Sequence, residues 1–119
     1  MAYIDGYLVA VPAANKQRYL DMAKAVDGMF IDYGATRIVE CWSDDVPHGK
    51  LTDFYMAVQA KEDEALVFAW IEWPDKATRD KGWDDLMKDE RMKMGPQDNP
   101  MVGARMIYGG FDTIFDTAA

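Results

Sequence analysis

The stretch ALVFAWIEWPD, residues 65–75, decides the fold. Residues 65–73 are mostly aliphatic or aromatic, which is the composition of a strand. Pro74 has no amide hydrogen to give to a ladder and ends it. Asp75 follows where a carboxylate caps a helix. The spacing of Trp83, Leu86 and Met87 then predicts that helix over residues 76–90, with those three side chains facing inward. Gly82 lies inside it and weakens it by about 1 kcal/mol relative to alanine. Along the strand, Val67, Ala69 and Ile71 point one way, and Phe68, Trp70 and Glu72 the other. One side is small and aliphatic, and the other is large and aromatic.

Working outward, residues 3–11 form a β-branched and aromatic strand that Pro12 stops. Asn15 stands at a helix-cap position. Tyr19, Met22, Ala23, Val26, Met29, Phe30 and Tyr33 then recur at steps of three and four, the stripe of an amphipathic helix that Gly34 ends. Residues 36–43 form a second strand, and residues 44–50 a turn rich in Asp, Pro and Gly. Residues 51–60 fit both periods. A short helical or irregular segment capped by Thr52 and Asp53 is the preferred reading. Residues 61–64 are a charged turn. Residues 91–103, with two prolines and two glycines, read as a long loop, and residues 105–114 as the last strand. Gly109 and Gly110 inside it point to a bulge or a close backbone approach. The order strand, helix, strand, ambiguous segment, strand, helix, strand is the split β-α-β, ferredoxin-like pattern of an α+β domain. Its two helices lie on one face of an antiparallel sheet.

Alternation divides the other strands too. In the first, Ile4, Leu8 and Ala10 oppose Tyr3, Asp5, Tyr7, Val9 and Val11. In the second, Val39 and Cys41 oppose Ile38, Glu40 and Trp42. The small aliphatic sets are assigned to the layer beneath the helices and the aromatic sets to the open face. An open face that apolar requires a cover, and the economical cover is the same face of a second copy. The expectation is a homodimer, a dimeric α+β barrel. Its two sheets enclose a space lined by Tyr7, Glu40, Trp42, Trp70 and Glu72, with Asp5 and Tyr108 as further candidates.

Five runs carry a family resemblance: residues 5–12 (DGYLVAVP), 37–42 (RIVECW), 45–50 (DVPHGK), 67–74 (VFAWIEWP) and 105–111 (RMIYGGF). Together they resemble the YbaA-like bacterial proteins, a family of unknown function (domain of unknown function family 1428). That resemblance implies membership of the dimeric α+β barrel superfamily. The superfamily holds cofactor-free monooxygenases, haem-degrading enzymes, isomerases and dehydratase-like stress proteins. None of these activities is carried over, because fold does not specify function.

Glu40 and Glu72 each lie two residues from a tryptophan, Trp42 and Trp70. A carboxylate walled by indoles has a raised pKa and moves protons near neutral pH, with Tyr7 and Asp5 as a hydrogen-bond donor and a second acid. The competing reading pairs Glu40 and Glu72 with Arg37 or Arg105, or leaves them in water at strand ends. His48 is the single histidine, in a Pro-His-Gly turn. A solvated turn residue is preferred there over a general base or haem ligand. One histidine excludes a multi-histidine metal site, and no cofactor or metal is expected. Cys41, the single cysteine, is expected to be a buried, inert thiol, and Asp44–Asp45 a solvated turn.

The 119 residues are one domain's worth, half of them apolar, so a core forms without metal or disulfide staples. Acidic side chains outnumber basic ones by 21 to 13, for a net charge of −8. Such a surface repels nucleic acid and anionic membranes. Residues 1–6 lack the basic start and apolar run of a signal peptide, and the longest apolar run, residues 65–71, is too short to span a bilayer. The expected location is the cytoplasm. The favoured function is binding of a small apolar or aromatic ligand between two sheets. The alternatives are a cofactor-independent monooxygenase or isomerase, and a structural protein whose interior is filled.

Overall fold

β1 (Tyr3–Pro12) is the strand on which the rest is assembled, because it pairs antiparallel with both β3 (Glu64–Trp73) and β4 (Ile107–Asp112). β2 (Arg37–Trp42) pairs antiparallel with the far side of β3, so the order is β2-β3-β1-β4. The computed structural model of the chain describes residues 1–92 and 103–118. Between these strands run α1 (Lys16–Asp32), the four-residue α2 (Phe54–Ala57) and α3 (Lys76–Met87). Among the described residues no helix is long and apolar enough to cross a membrane.

Local chemistry explains the ends. Asp53 caps α2 by accepting the Met56 amide at 2.7 Å, and Asp75 caps α3 by accepting that of Thr78 at 2.7 Å. Asn15 is the residue before α1, but its side chain makes no capping bond, because a tight turn over Ala13–Asn15 feeds the helix directly. Gly34, at φ +115°, ends α1 in the left-handed region where a side chain is strained. α3 stops at Met87 rather than residue 90. Beyond it Tyr33 donates its hydroxyl to Asp89 at 2.7 Å, and Arg91 grips the same carboxylate at 2.8 Å. β4 is shorter than residues 105–114. Arg105 leaves the strand to form a two-armed ion pair with Glu64, at 2.6 and 2.9 Å. Most of the expected loop 91–103 lies outside the described residues.

The register corrects the assignment of faces. Tyr3, Asp5, Tyr7 and Val9 lie opposite Trp73, Ile71, Ala69 and Val67. Ile38, Glu40 and Trp42 lie opposite Ile71, Ala69 and Val67. These residues share the side on which α1 and α3 pack, where Val9, Val67, Ala69, Ile71 and Trp73 are buried with Tyr19, Ala23, Met29, Phe30 and Leu86. The other side carries Ile4, Leu8, Val39 and Cys41 with Phe68, Trp70 and Glu72; Leu8, Ala10 and Leu66 are buried there against Val58, next to α2, and the rest of that side is open. Alternation within a strand groups residues by side. Which side faces the helices depends on how the strands are staggered, and both sides of β1 are apolar enough to fit either. Two further expectations change. Cys41 is exposed, and Met87, at the end of α3, is 65% exposed.

Candidate functional site

One row across the sheet builds the site. Glu40 lies opposite Ala69, Ala69 opposite Tyr7, and Tyr7 opposite Tyr108. Ala69 offers only a methyl group, so Glu40 and Tyr7 rise on either side of a low point. α1 crosses above with Tyr19, Ala23 and Asp27 at successive steps of four, flanked by Met22, Val26 and Phe30. α3 adds Arg79, Trp83 and Met87, again at steps of four. Together they enclose a cavity of about 640 Å³ between sheet and helices. That is within the usual size range of small-molecule pockets. Its walls are mainly aromatic rings, aliphatic side chains and thioethers.

Its polar end is a carboxyl pair. Tyr19 donates its hydroxyl to Glu40 Oε1 at 2.6 Å. Asp27 hydrogen-bonds the same carboxylate. Burial first, then the hydrogen bond and charge of Glu40, pushes the Asp27 carboxyl from its ordinary 3.8 up to about 8. Asp27 therefore holds a proton at neutral pH and donates it in the hydrogen bond to Glu40. Burial raises the Tyr7 and Tyr19 hydroxyls well above their ordinary range, with the neighbouring carboxylate adding to it, so both remain donors. A carboxyl proton, an acceptor carboxylate and two phenols at the end of an apolar hollow can orient a polar group and exchange a proton with it.

That pair makes stability depend on pH with a definite sign. The folded chain holds the Asp27 proton between about pH 4 and pH 8, where the unfolded chain has released it. Stability contributed by this group therefore falls as pH rises through that window. Asp27 keeps part of its surface in water, so the expected total between pH 5 and pH 8 is about 1 kcal/mol, well below what one fully linked proton gives at about 1.4 kcal/mol for each pH unit. Urea unfolding at pH 5 and pH 8 measures it, and Asp27→Asn is expected to flatten the difference.

Asp5 does different work. It is 5% exposed and accepts Trp73 Nε1 at 2.9 Å, Trp83 Nε1 at 2.8 Å, and Arg79 Nη2 at 2.7 Å with Arg79 Nε at 3.1 Å. With four donors on two oxygens it is saturated, and it acts as an anchor between β1, β3 and α3. Gly110 lies opposite Asp5, and a Cβ there would come within 2.9 Å of Arg79 Nη2, which explains the glycine in the last strand as a close approach.

The structure thus brings Asp5, Tyr7, Glu40 and Tyr108 to one cavity and separates Trp70 and Glu72 from it. Trp70 donates its indole N–H to Glu72 at 2.9 Å on the open side, where Arg37 also reaches Glu72 at 3.7 Å. Trp42 is half-buried on the helix side, with Lys16 Nζ 5.5 Å above its ring. A second hollow, of about 690 Å³, lies over the open side, lined by Leu8, Phe54, Phe68, Trp70, Ile107 and Phe111; Tyr7 and Tyr108 edge both. His48 is largely exposed, stacked on Tyr55 at 4.3 Å, and its Nδ1 lies 3.8 Å from Asp53. The sequence reading missed Asp27, Tyr19 and Arg79. Their one signal was spacing: each falls on a stripe with residues already assigned to the core.

Fold and site together define an α+β protein whose helix-covered antiparallel sheet holds a carboxyl-ended apolar cavity. The chain belongs to the family described as protein of unknown function (DUF1428), which matches residues 2–103. It is 53% identical over 116 residues to the uncharacterized protein YbaA of Escherichia coli (strain K12), covering 98% of this chain and 99% of that one. The uncharacterized protein YbaA of Shigella flexneri is similar to the same extent.

Proposed function

We propose that the chain binds a small, largely apolar molecule in the cavity between its sheet and helices, with the polar group of that molecule at the Asp27–Glu40 pair. The observation that carries this reading is the coincidence of a 640 Å³ apolar hollow with a half-buried carboxyl pair in which Asp27 holds a proton. Core carboxylates are normally neutralised by a cation, as Arg79 neutralises Asp5. The reading moves the ligand from between two sheets to the helix side, because Tyr7 and Glu40 lie there. A second reading adds catalysis. A carboxyl that titrates near neutral pH beside an apolar ligand suits proton transfer within that ligand, as an isomerase requires.

The homodimer belongs to the same proposal. The strand order β2-β3-β1-β4 with α1 and α3 on one side supports a ferredoxin-like subunit. The other side leaves Phe54, Phe68, Ile107 and Phe111 each about half exposed or more. A second copy covers such a face with a self-complementary one. In this arrangement the cavities sit on the outer sides of the assembly.

The test is a titration with three small aromatic probes, 2-phenylethanol, 2-phenylethylamine and phenylacetate, followed by tryptophan fluorescence, since Trp83 walls the cavity. At least one probe is expected to bind saturably. Val26→Trp, which fills the hollow from α1, is expected to weaken it by at least about tenfold. Silence from all three probes, or binding indifferent to Val26→Trp in a folded variant, would remove the cavity from the function.

A further inference from the structure

We infer that the molecule bound in this cavity is an organic cation, a protonated amine or a quaternary ammonium on an apolar body, recognised by Glu40 and the surrounding rings. The inference rests on the ligand-binding reading above and names the chemical class of its occupant.

Three observations point to positive charge. Among the described residues no Lys, Arg or His lies within ion-pair distance of the half-buried Glu40 or Asp27, whereas two more deeply buried carboxylates each have one: Asp5 has Arg79 at 2.7 Å and Glu64 has Arg105 at 2.6 Å. The pair is the one place in the cavity where a missing cation would complete the set. The second observation concerns Arg79, the single cationic side chain in the wall among the described residues. Its Nη2 and Nε bind Asp5 and its Nη1 binds Asp80 at 3.0 Å, so its charge is already matched and an anionic ligand gains little from it. The third is the wall itself. Tyr7, Tyr19, Phe30 and Trp83 present four rings around the hollow, surfaces that attract a cation and add to a charge-assisted hydrogen bond at Glu40.

Cation binding and the Asp27 proton compete for the same place. An ammonium at Glu40 favours the ionised form of Asp27, so binding expels the proton to solvent. Among the described residues, the charged and titratable groups that line the cavity with Asp27 are Glu40 from β2, Tyr7 and Asp5 from β1, Tyr19 from its own helix, Arg79 from α3 and Tyr108 from β4. The tyrosines named as neighbours of the pair, Tyr7 and Tyr19, stay protonated through the neutral range, and Asp5 and Arg79 pair with each other. Asp27 is therefore the group that titrates, and affinity for a cation rises with pH until its carboxyl is ionised near pH 8.

Calorimetric titration of the full chain with 2-phenylethylamine, 2-phenylethanol and phenylacetate, in buffers of different ionisation enthalpy, decides the matter. The amine is expected to bind at least about tenfold more tightly than the alcohol or the acid at pH 7, releasing close to one proton. Its affinity is expected to rise about tenfold from pH 6 to pH 7. Glu40→Gln is expected to weaken the amine at least about tenfold and to abolish its preference over the alcohol. Equal or tighter binding of the alcohol or the acid, or amine affinity that does not change with pH, overturns the inference while leaving the cavity reading intact. Absence of binding by all three probes overturns both.

Discussion

Asp5→Asn is expected to destabilise the chain by about 3 kcal/mol, measured as the shift in urea unfolding free energy at pH 7. The change is nearly isosteric, so packing is preserved and the loss is electrostatic. Asp5 receives two indole N–H groups and two N–H groups of Arg79 on a pair of oxygens. An amide offers one oxygen and an NH2 that clashes with donors. One indole would lose its partner in the core, and the Arg79 guanidinium would keep its charge with no carboxylate to match it. Removing one member of a buried pair costs about 3–5 kcal/mol. The lower end applies because the Arg79 side chain retains 24% exposure and recovers some hydration. A loss under about 1 kcal/mol would mean that Asp5 is not the joint between the first strand and α3.

Gly82→Ala is expected to destabilise by about 2 kcal/mol, against the usual direction of that change in a helix. In a helix interior alanine is favoured over glycine by about 1 kcal/mol. Here the new Cβ would fall 2.6 and 2.8 Å from carbons of the Trp73 ring and 2.8 Å from the Tyr33 carbonyl oxygen. Trp73 is fully buried and its indole is tied to Asp5, so the ring cannot retreat. The helix must lift instead, and overpacking outweighs the propensity gain. Gly28→Ala is the control. It lies on the exposed side of α1 with nothing within 4 Å of a new Cβ, and it is expected to stabilise by about 0.5–1 kcal/mol. Opposite signs at two helical glycines separate packing from propensity in a single unfolding experiment.

Much of the secondary structure was legible because its signals are local. The helix stripe from Tyr19 to Tyr33, the Asp75 cap and the stop at Pro74 each depend on a few neighbouring residues, and each stands where the spacing puts it. The two faces of the sheet were not legible in the same way. Tyr7, Glu40 and Trp42 lie under the helices because of how β1 and β2 are staggered against β3, and stagger is a long-range property with no local signature. The same limit hid the site. Asp27 reads as one more acid on a soluble helix. Its environment is made by Glu40, 13 positions later, and by a cavity that three other elements close. Gly82 illustrates the reverse case. By propensity it reads as a weak point inside α3, yet it is needed because a tryptophan ring from β3 occupies the place of its side chain.

The central position of β1 has a bearing on the protein's biosynthesis. β1 leaves the ribosome ahead of its partners, which are β3, β4 and a helix whose Arg79 and Trp83 lie 74 and 78 residues beyond Asp5. At roughly 5–20 residues per second, several seconds pass before those partners exist. During that interval an apolar ten-residue segment has neither ladder nor roof. A nascent chain halted ahead of α3 would present this edge to other polypeptides, so the growing chain has reason to engage a holding chaperone until α3 and β4 are made.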